Sequence, residues 1–129
     1  MKENRLVIEI NRPVAEVFEF TINPRNTHLW VDSIAKEETN ELPIKLGTRY
    51  RNVNRQGVWS EYEVVKFSLN KVFELKMKDA SYHVRYDYEP VSGAKTELTY
   101  FEWVEDGELD GPFAITTLEK LKRLMERRT

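Results

Sequence analysis

The sequence predicts an α+β fold in which a curved antiparallel sheet of about seven strands is closed by a long C-terminal helix. Aromatic and branched residues alternate with charged residues through most of the chain, as in half-buried strands. Short turn-forming segments separate these runs. A helical apolar stripe dominates only the final segment, 112–128. The expected element order is one strand, two short helices, six strands and one helix.

The first third of the chain contains the first strand and the two short helices. Residues 4–10 alternate as a strand does, and residues 23–30 suit a short second helix. Asn11 is expected to cap the first helix and Pro13 to lie in its first turn, where its missing N–H has no partner to lose. That helix is predicted to end at Phe20 or Thr21. Its inward positions are Val14, Val17 and Phe18.

A run of short strands then follows, each separated from the next by a turn. The predicted strands are 34–38, 48–54, 58–67, 72–78, 81–89 and 95–104. Consecutive strands joined by short turns favour an antiparallel meander. The last helix has an apolar stripe through Leu118, Leu121 and Leu124 or Met125. We expect the sheet to wrap around this stripe.

Composition excludes several classes of function. The 129 residues are expected to form one domain, 1–129, and the net charge of −2 gives no electrostatic footprint for nucleic acid. The absence of cysteine excludes disulfides, thiolate metal sites and cysteine nucleophiles. No apolar run is long enough for a membrane span or an export signal, so a cytoplasmic location is expected. No metal-ligand or phosphate-loop motif occurs, and no cofactor is expected.

Several segments, taken in order, resemble one known superfamily over nearly the whole chain. They are Arg12–Phe20, Asn23-Pro24 through Trp30, Gly47–Tyr50, Glu61–Val64 and the Leu118–Met125 helix. The chain resembles the START-like or Bet v 1-like superfamily, often labelled SRPBCC, in its polyketide cyclase/dehydrase branch. The resemblance implies a helix-grip fold with a deep apolar cavity between sheet and helix.

The resemblance leaves three functions open. The first is binding of a hydrophobic small molecule, such as a lipid or polyketide, in the cavity. The second is a polyketide cyclase/dehydrase-type enzyme that uses a cavity acid and base. The third is a protein-interaction module, Hsp90-activator-like or toxin-like, whose cavity is vestigial. A homodimer is also left open, with Trp59 as a candidate contact.

Residues 82–88 give the sharpest indication of a ligand site. Tyr82, Tyr86 and Tyr88 share one face of a strand, while the ionisable residues between them share the other. If the tyrosines line the cavity, the ionisable residues His83, Arg85 and Asp87 must face outward. The full set of candidate ligand-binding residues is Trp30, Tyr50, Tyr62, Phe73, Tyr82, Tyr86, Tyr88, Tyr100, Phe113, Leu118 and Leu121.

Two residues are candidates for catalysis. Glu102 shares a strand face with Leu98 and Tyr100, so it is drawn inward if they are. There it would need a partner, such as Arg49, Arg51 or a tyrosine hydroxyl, and could act as an enolising base. The alternative is a glutamate at the wet end of the strand. His28 is a candidate general base at the cavity mouth, or else a surface histidine. The pair Glu61 and Glu63 suits a solvated outer face better than an acid/base pair.

Overall fold

The structure, a computed structural model, describes residues 2–127. The first part of the chain forms β1 (Glu3–Ile10), α1 (Val14–Ile22) and α2 (Thr27–Trp30). The meander consists of β2 (Ile34–Thr39), β3 (Arg49–Asn54), β4 (Trp59–Ser68), β5 (Val72–Met77), β6 (Tyr82–Ser92) and β7 (Lys95–Val104). The last helix is α3 (Ile115–Glu126). The predicted element order is therefore confirmed.

The seven strands form one antiparallel sheet in the order β1-β7-β6-β5-β4-β3-β2. Strands β2 to β7 are neighbours in chain order because short turns join them, and β1 pairs with the free edge of β7. Register shifts interrupt β2, β4 and β6. Such bulges bend and twist the strands that contain them, which curls the sheet. The curled sheet and the C-terminal helix give the helix-grip architecture that the resemblance implies.

The helix α3 lies against the concave side of the sheet. Leu118, Leu121 and Met125 are buried, and they recur at helical spacing on one face. The side chain of Arg12 donates to the carbonyl of Met125 at 2.9 Å, so it satisfies one of the carbonyls that a helix end leaves without an intrahelical partner. This bond also fixes the segment between β1 and α1 to the end of α3.

Three predicted helix starts are wrong. Helix α2 begins at Thr27 rather than at residue 23, and Asn26 precedes it. Pro13, not Asn11, is the residue that precedes α1, and it makes no side-chain cap. Asn11 lies outside the helix because its backbone N–H donates to the carboxylate of Glu126 at 2.8 Å. Helix α3 begins at Ile115 rather than at 112, since Gly111 has a φ of +61° and Ala114 is extended. Residue 128 of the predicted helix lies outside the described residues.

The outer face of β6 carries the ionisable residues, as predicted. Arg85 donates two hydrogen bonds of 3.0 Å to Asp87, and His83 stacks on Trp103 with ring centroids 4.6 Å apart. The outer face of β4, which β5 separates from β6, is solvated, and its Glu61 pairs with Lys78 at 3.5 Å. The inner faces of both strands are thereby left to the tyrosines and aliphatic residues.

Candidate functional site

An internal cavity of about 580 Å3 lies between the concave face of the sheet, α2 and the loop before α3. Inward residues of β3 to β7 form its walls, because alternate residues of a strand point to the same face. Thr27 and Val31 close it from the side of α2, while Gly111 and Phe113 close it from the loop. Leu118 and Leu121 belong to the packed core but do not line the cavity.

The structure brings most of the candidate ligand-binding residues together at this cavity. Seven of them line it: Tyr50, Tyr62, Phe73, Tyr82, Tyr86, Tyr100 and Phe113. The other four, Trp30, Tyr88, Leu118 and Leu121, are buried in the core and do not line it. Tyr88 belongs to the core because its hydroxyl bonds to Thr21 Oγ1 at 2.6 Å and its ring packs edge-on against Phe18.

The aromatic residues of the wall are in contact with one another. Tyr100 stacks on Phe113 with ring centroids 4.4 Å apart, and Tyr86 packs edge-on against Tyr100 at 5.4 Å. Tyr86 also packs near Phe73 at 6.0 Å. Rings in such arrangements contribute a favourable free energy in addition to that from the apolar area they bury. The wall is therefore a connected set of rings rather than a group of independent side chains.

A carboxyl group on β2 also lines the cavity. Glu37 is half-buried; its Oε1 accepts from Thr27 Oγ1 at 2.5 Å and its Oε2 accepts from Asn52 Nδ2 at 3.1 Å. Burial raises the pKa of Glu37, although both hydrogen bonds act in the opposite direction. The cavity therefore contains a carboxyl group that is suited to accept from a guest or to exchange a proton.

Sequence reasoning missed Glu37 because a bulge changes the phase of β2. Ile34 and Glu37 both line the cavity, although they are an odd number of residues apart. A register shift between Ile34 and Lys36 allows this, since an inserted residue moves every later side chain to the other face. Strict alternation would have placed Lys36 inside with Ile34. The charged run Lys36-Glu37-Glu38 carried no signal of a buried carboxylate.

The hydroxyl of Tyr86 is a polar group of the wall that has no hydrogen-bond partner among residues 2–127. Tyr86 is only 8% exposed and lines the cavity, and no residue among 2–127 forms a hydrogen bond with its hydroxyl. Burial raises its pKa well above the ordinary value, so the phenol keeps its proton. By contrast, the hydroxyl of Tyr50 donates to the carbonyl of Ile22 at 2.5 Å. Tyr86 therefore offers its hydroxyl to whatever occupies the cavity.

Glu102 is buried directly behind the tyrosine wall. It is 2% exposed and does not line the cavity. Its Oε1 accepts from the Tyr82 hydroxyl at 2.7 Å, and its Oε2 accepts from Asn4 Nδ2 at 2.9 Å and from the Phe113 N–H at 2.8 Å. Leu98 and Tyr100 are buried as well, so Glu102 takes the inward alternative rather than the wet end of the strand, with a tyrosine hydroxyl as its partner. The carboxylate connects β1, β6 and the residue before the cap of α3.

Tyr82 links the cavity wall to Glu102. It lines the cavity, and its hydroxyl donates to the Glu102 carboxylate at 2.7 Å. Burial raises the pKa of Tyr82, and the bond to Glu102 raises it further, so this phenol keeps its proton. Burial also raises the pKa of Tyr100 well above its ordinary value.

The second catalytic candidate lies elsewhere. His28 is exposed on α2 and does not line the cavity. The ionisable side chains that do line it, besides the tyrosines, are all carboxylic: Glu37, Glu108 and Asp110. Within residues 2–127, no group of three or more histidine, aspartate or glutamate side chains is arranged to hold a metal ion. None of the helices in this part of the chain is long and apolar enough to cross a membrane.

Solved structures with the same fold come from several bacteria. The protein XoxI from Bacillus cereus superposes with a TM-score of 0.75 at 13% identity, covering 98% of this chain and 97% of that one. A START superfamily protein from Mycobacterium smegmatis gives 0.70 at 14% identity, covering 98% and 95%. The di-domain ARO/CYC BexL from the BE-7585A biosynthetic pathway gives 0.76 at 15% identity. This chain is covered to 98% in that comparison but spans only 47% of BexL.

Similarity in sequence is found at the level of the family. No curated protein matches the sequence as a relative. The sequence pattern of the family described as "Polyketide cyclase / dehydrase and lipid transport" matches residues 1–128. With the START-like fold and its internal cavity, that match shows that the chain belongs to the polyketide cyclase/dehydrase and lipid transport family.

Proposed function

We propose that the protein reversibly binds a small apolar molecule, with one or more rings, inside its internal cavity. The observation that carries this proposal is the cavity of about 580 Å3, whose wall includes seven aromatic residues and the Tyr86 hydroxyl, which has no hydrogen-bond partner among residues 2–127. Ligand pockets usually have volumes of about 300–1,000 Å3 and combine apolar walls with a few polar groups.

The wall favours a guest with rings. Flat apolar molecules gain edge-on and stacked contacts with Tyr86, Tyr100 and Phe113, in addition to the free energy of leaving water. A guest with a carbonyl or hydroxyl oxygen near Tyr86 would accept a hydrogen bond from its hydroxyl, with a net gain of about 0.5–1.5 kcal/mol. The expected guest is therefore apolar with a small number of oxygen or nitrogen atoms.

The family supports the same reading, since its description names lipid transport beside polyketide cyclisation. A cavity of this size also favours a binding role over an interaction module with a vestigial cavity. The enzyme alternative has one observation in its favour, which is the carboxyl group of Glu37 on the cavity wall with its raised pKa. Such a group could remove a proton next to a carbonyl of a bound polyketone.

The binding proposal is tested with Nile red, an uncharged dye whose fluorescence rises in apolar surroundings. Val84 lines the cavity and is 8% exposed, so Val84→Phe should fill part of the space. Val7 is 48% exposed on the outer face, and Val7→Phe is the matched control. We expect the wild type and Val7→Phe to bind the dye alike, and Val84→Phe to bind it at least about tenfold more weakly. Equal binding by all three folded proteins would contradict a guest in the cavity.

The enzyme alternative needs a different readout. Glu37→Gln keeps the size of the side chain but removes the group that could accept a proton. If the protein cyclises a bound polyketone, this variant should still bind the substrate while its turnover falls by about two orders of magnitude or more. Unchanged turnover would exclude Glu37 as the base, and absence of turnover in the wild type with the same polyketone would leave the binding role.

A further inference from the structure

We propose that the cavity selects its guest by charge: it accepts apolar molecules that carry an amine or a hydroxyl donor and rejects those that carry a carboxylate. This inference rests on the proposed binding function and names the class of guest. Its consequence is that fatty acids and other apolar carboxylic acids are not the ligands of this protein.

The charged side chains around the cavity are all acidic. Three carboxylates line it, and no lysine, arginine or histidine among the described residues does. Two of these three carboxylates have a weaker effect on a bound molecule. Glu108 lies near the positive charge of Lys2, and Asp110 is exposed at the mouth, where salt screens it. Glu37 is the acidic group that a bound molecule meets inside.

Glu37 can accept further hydrogen bonds from a guest. Each of its carboxylate oxygens accepts one hydrogen bond from the protein, from Thr27 and from Asn52. A carboxylate oxygen can accept about two hydrogen bonds, so each one has room for a donor from the guest. An ammonium group would form a charge-assisted bond there and a hydroxyl a neutral one. A carboxylate guest could form neither with an ionised Glu37.

The cavity wall has few hydrogen-bond donors that are available to an anionic guest. The hydroxyl hydrogens of Tyr50 and Tyr82 are directed at acceptors in the protein. Tyr82 also connects the wall to Glu102, a second buried carboxylate. The hydroxyls of Tyr86 and Tyr100 remain as donors, but neutral hydroxyls do not replace the hydration of a carboxylate. No cation among the described residues lines the cavity. An anionic guest therefore loses more free energy of hydration on leaving water than it gains from contacts in the cavity.

The test uses three molecules with one naphthyl framework: naphthylethylamine, naphthylethanol and naphthylacetate. At neutral pH they are a cation, a neutral alcohol and an anion of nearly equal size. Isothermal titration calorimetry of the wild-type protein gives their dissociation constants. We expect the amine and the alcohol to bind at least about tenfold more tightly than the carboxylate, a ratio that corresponds to about 1.4 kcal/mol.

Two variants assign the selection to Glu37. In Glu37→Gln we expect the ratio between amine and carboxylate to fall to about threefold or less, because the interior charge is gone. Glu63→Gln removes an equivalent charge from the solvated outer face of β4 and should leave the ratio unchanged. Thermal unfolding of both variants establishes beforehand that they are folded. If Glu37→Gln does not fold, the order of the three ligands on the wild type still tests the selection.

The outcomes separate this inference from the function on which it rests. A carboxylate that binds as tightly as the alcohol, or more tightly, would overturn charge selection and leave the binding function standing. An unchanged ratio in folded Glu37→Gln would overturn the role of Glu37. If none of the three molecules binds to the wild-type protein, the binding function itself is contradicted, and the selection falls with it.

Discussion

The hydroxyl of Tyr82 donates to the carboxylate of Glu102 over 2.7 Å, and this bond joins the cavity wall to the framework of the fold. The same carboxylate accepts from Asn4 on β1 and from the N–H of Phe113 before α3. A buried carboxylate with three donors is satisfied in its bonding and connects three parts of the chain. Glu102 thus has a structural role whether or not it also takes part in chemistry.

The first prediction compares two tyrosines of the same wall. Tyr82→Phe removes a donor from buried Glu102, so we expect a loss in the free energy of unfolding of about 1–3 kcal/mol. Tyr86→Phe removes a hydroxyl that has no protein partner, and its effect should lie within about 0.5 kcal/mol of zero. Urea denaturation of both variants measures the difference. Equal losses would contradict the assignment of the two hydroxyls.

The second prediction concerns Glu102 itself. Glu102→Ala leaves the donors of Asn4, Tyr82 and Phe113 unpaired and opens a void, so we expect a loss of about 3 kcal/mol or more. Glu102→Gln keeps the volume and one acceptor, and it should lose less than the alanine variant. The unfolding free energy of the two variants provides the check. A folded alanine variant with wild-type stability would exclude the structural role.

The third prediction is a pH dependence that Glu37 produces. The pKa of Glu37 in the folded protein lies above its ordinary value of 4.5, so the folded state binds a proton more readily than the unfolded state does. This contribution to stability is therefore present at low pH and is lost as the pH rises from 4.5 through the folded pKa. Glu37→Gln cannot titrate. We expect the unfolding free energy of the wild type to fall relative to this variant over that range.

The measurement is a pair of urea titrations at several values between about pH 4 and about pH 8. Because the two proteins share every other titrating group, their difference isolates residue 37. A difference that stays constant with pH, or that grows in favour of the wild type as the pH rises, would contradict the raised pKa of Glu37.

The fourth prediction is that Tyr86 contributes to binding although it contributes little to stability. Loss of a neutral hydrogen bond to the guest should weaken binding by about 0.5–1.5 kcal/mol in Tyr86→Phe. Naphthylethanol, which has an oxygen to accept that bond, is a suitable guest for calorimetry. Naphthalene without a polar group is the control and should bind both proteins alike. Equal binding of the alcohol by both proteins would show that its oxygen does not meet Tyr86.

The sequence predicted the elements and most of the aromatic wall because alternation is a local property. Tyr82 and Tyr86 could be assigned to one face of β6 from their spacing alone. Whether a residue on that face meets the cavity or the core depends on its position along the strand and on what packs above it. Tyr88 shares this face of β6, but it packs against Thr21 of α1 instead of lining the cavity. Alternation along the strand cannot indicate that contact.

Two features of the site required the three-dimensional structure. The sequence did not show which face of β7 points inward, because both of its faces carry apolar residues. In the structure β7 pairs with β6 so that Tyr100 lies opposite Tyr86, and the face that carries Tyr100 therefore points inward. Glu37 was hidden by the bulge in β2, because a single inserted residue reverses the alternation and leaves no mark in the composition. The aromatic part of the site was thus readable from the sequence, and its polar part was not.

The most direct test of the central claim locates a bound guest by nuclear magnetic resonance. With methyl-labelled protein and naphthylethanol, the cavity account predicts nuclear Overhauser contacts from the naphthyl ring to the methyl groups of Leu75 and Val84, which line the cavity. Val7 and Leu69 are exposed outside it and should show no such contacts. Contacts confined to Val7 or Leu69, or no contacts at all with the guest in excess, would contradict a guest inside the fold.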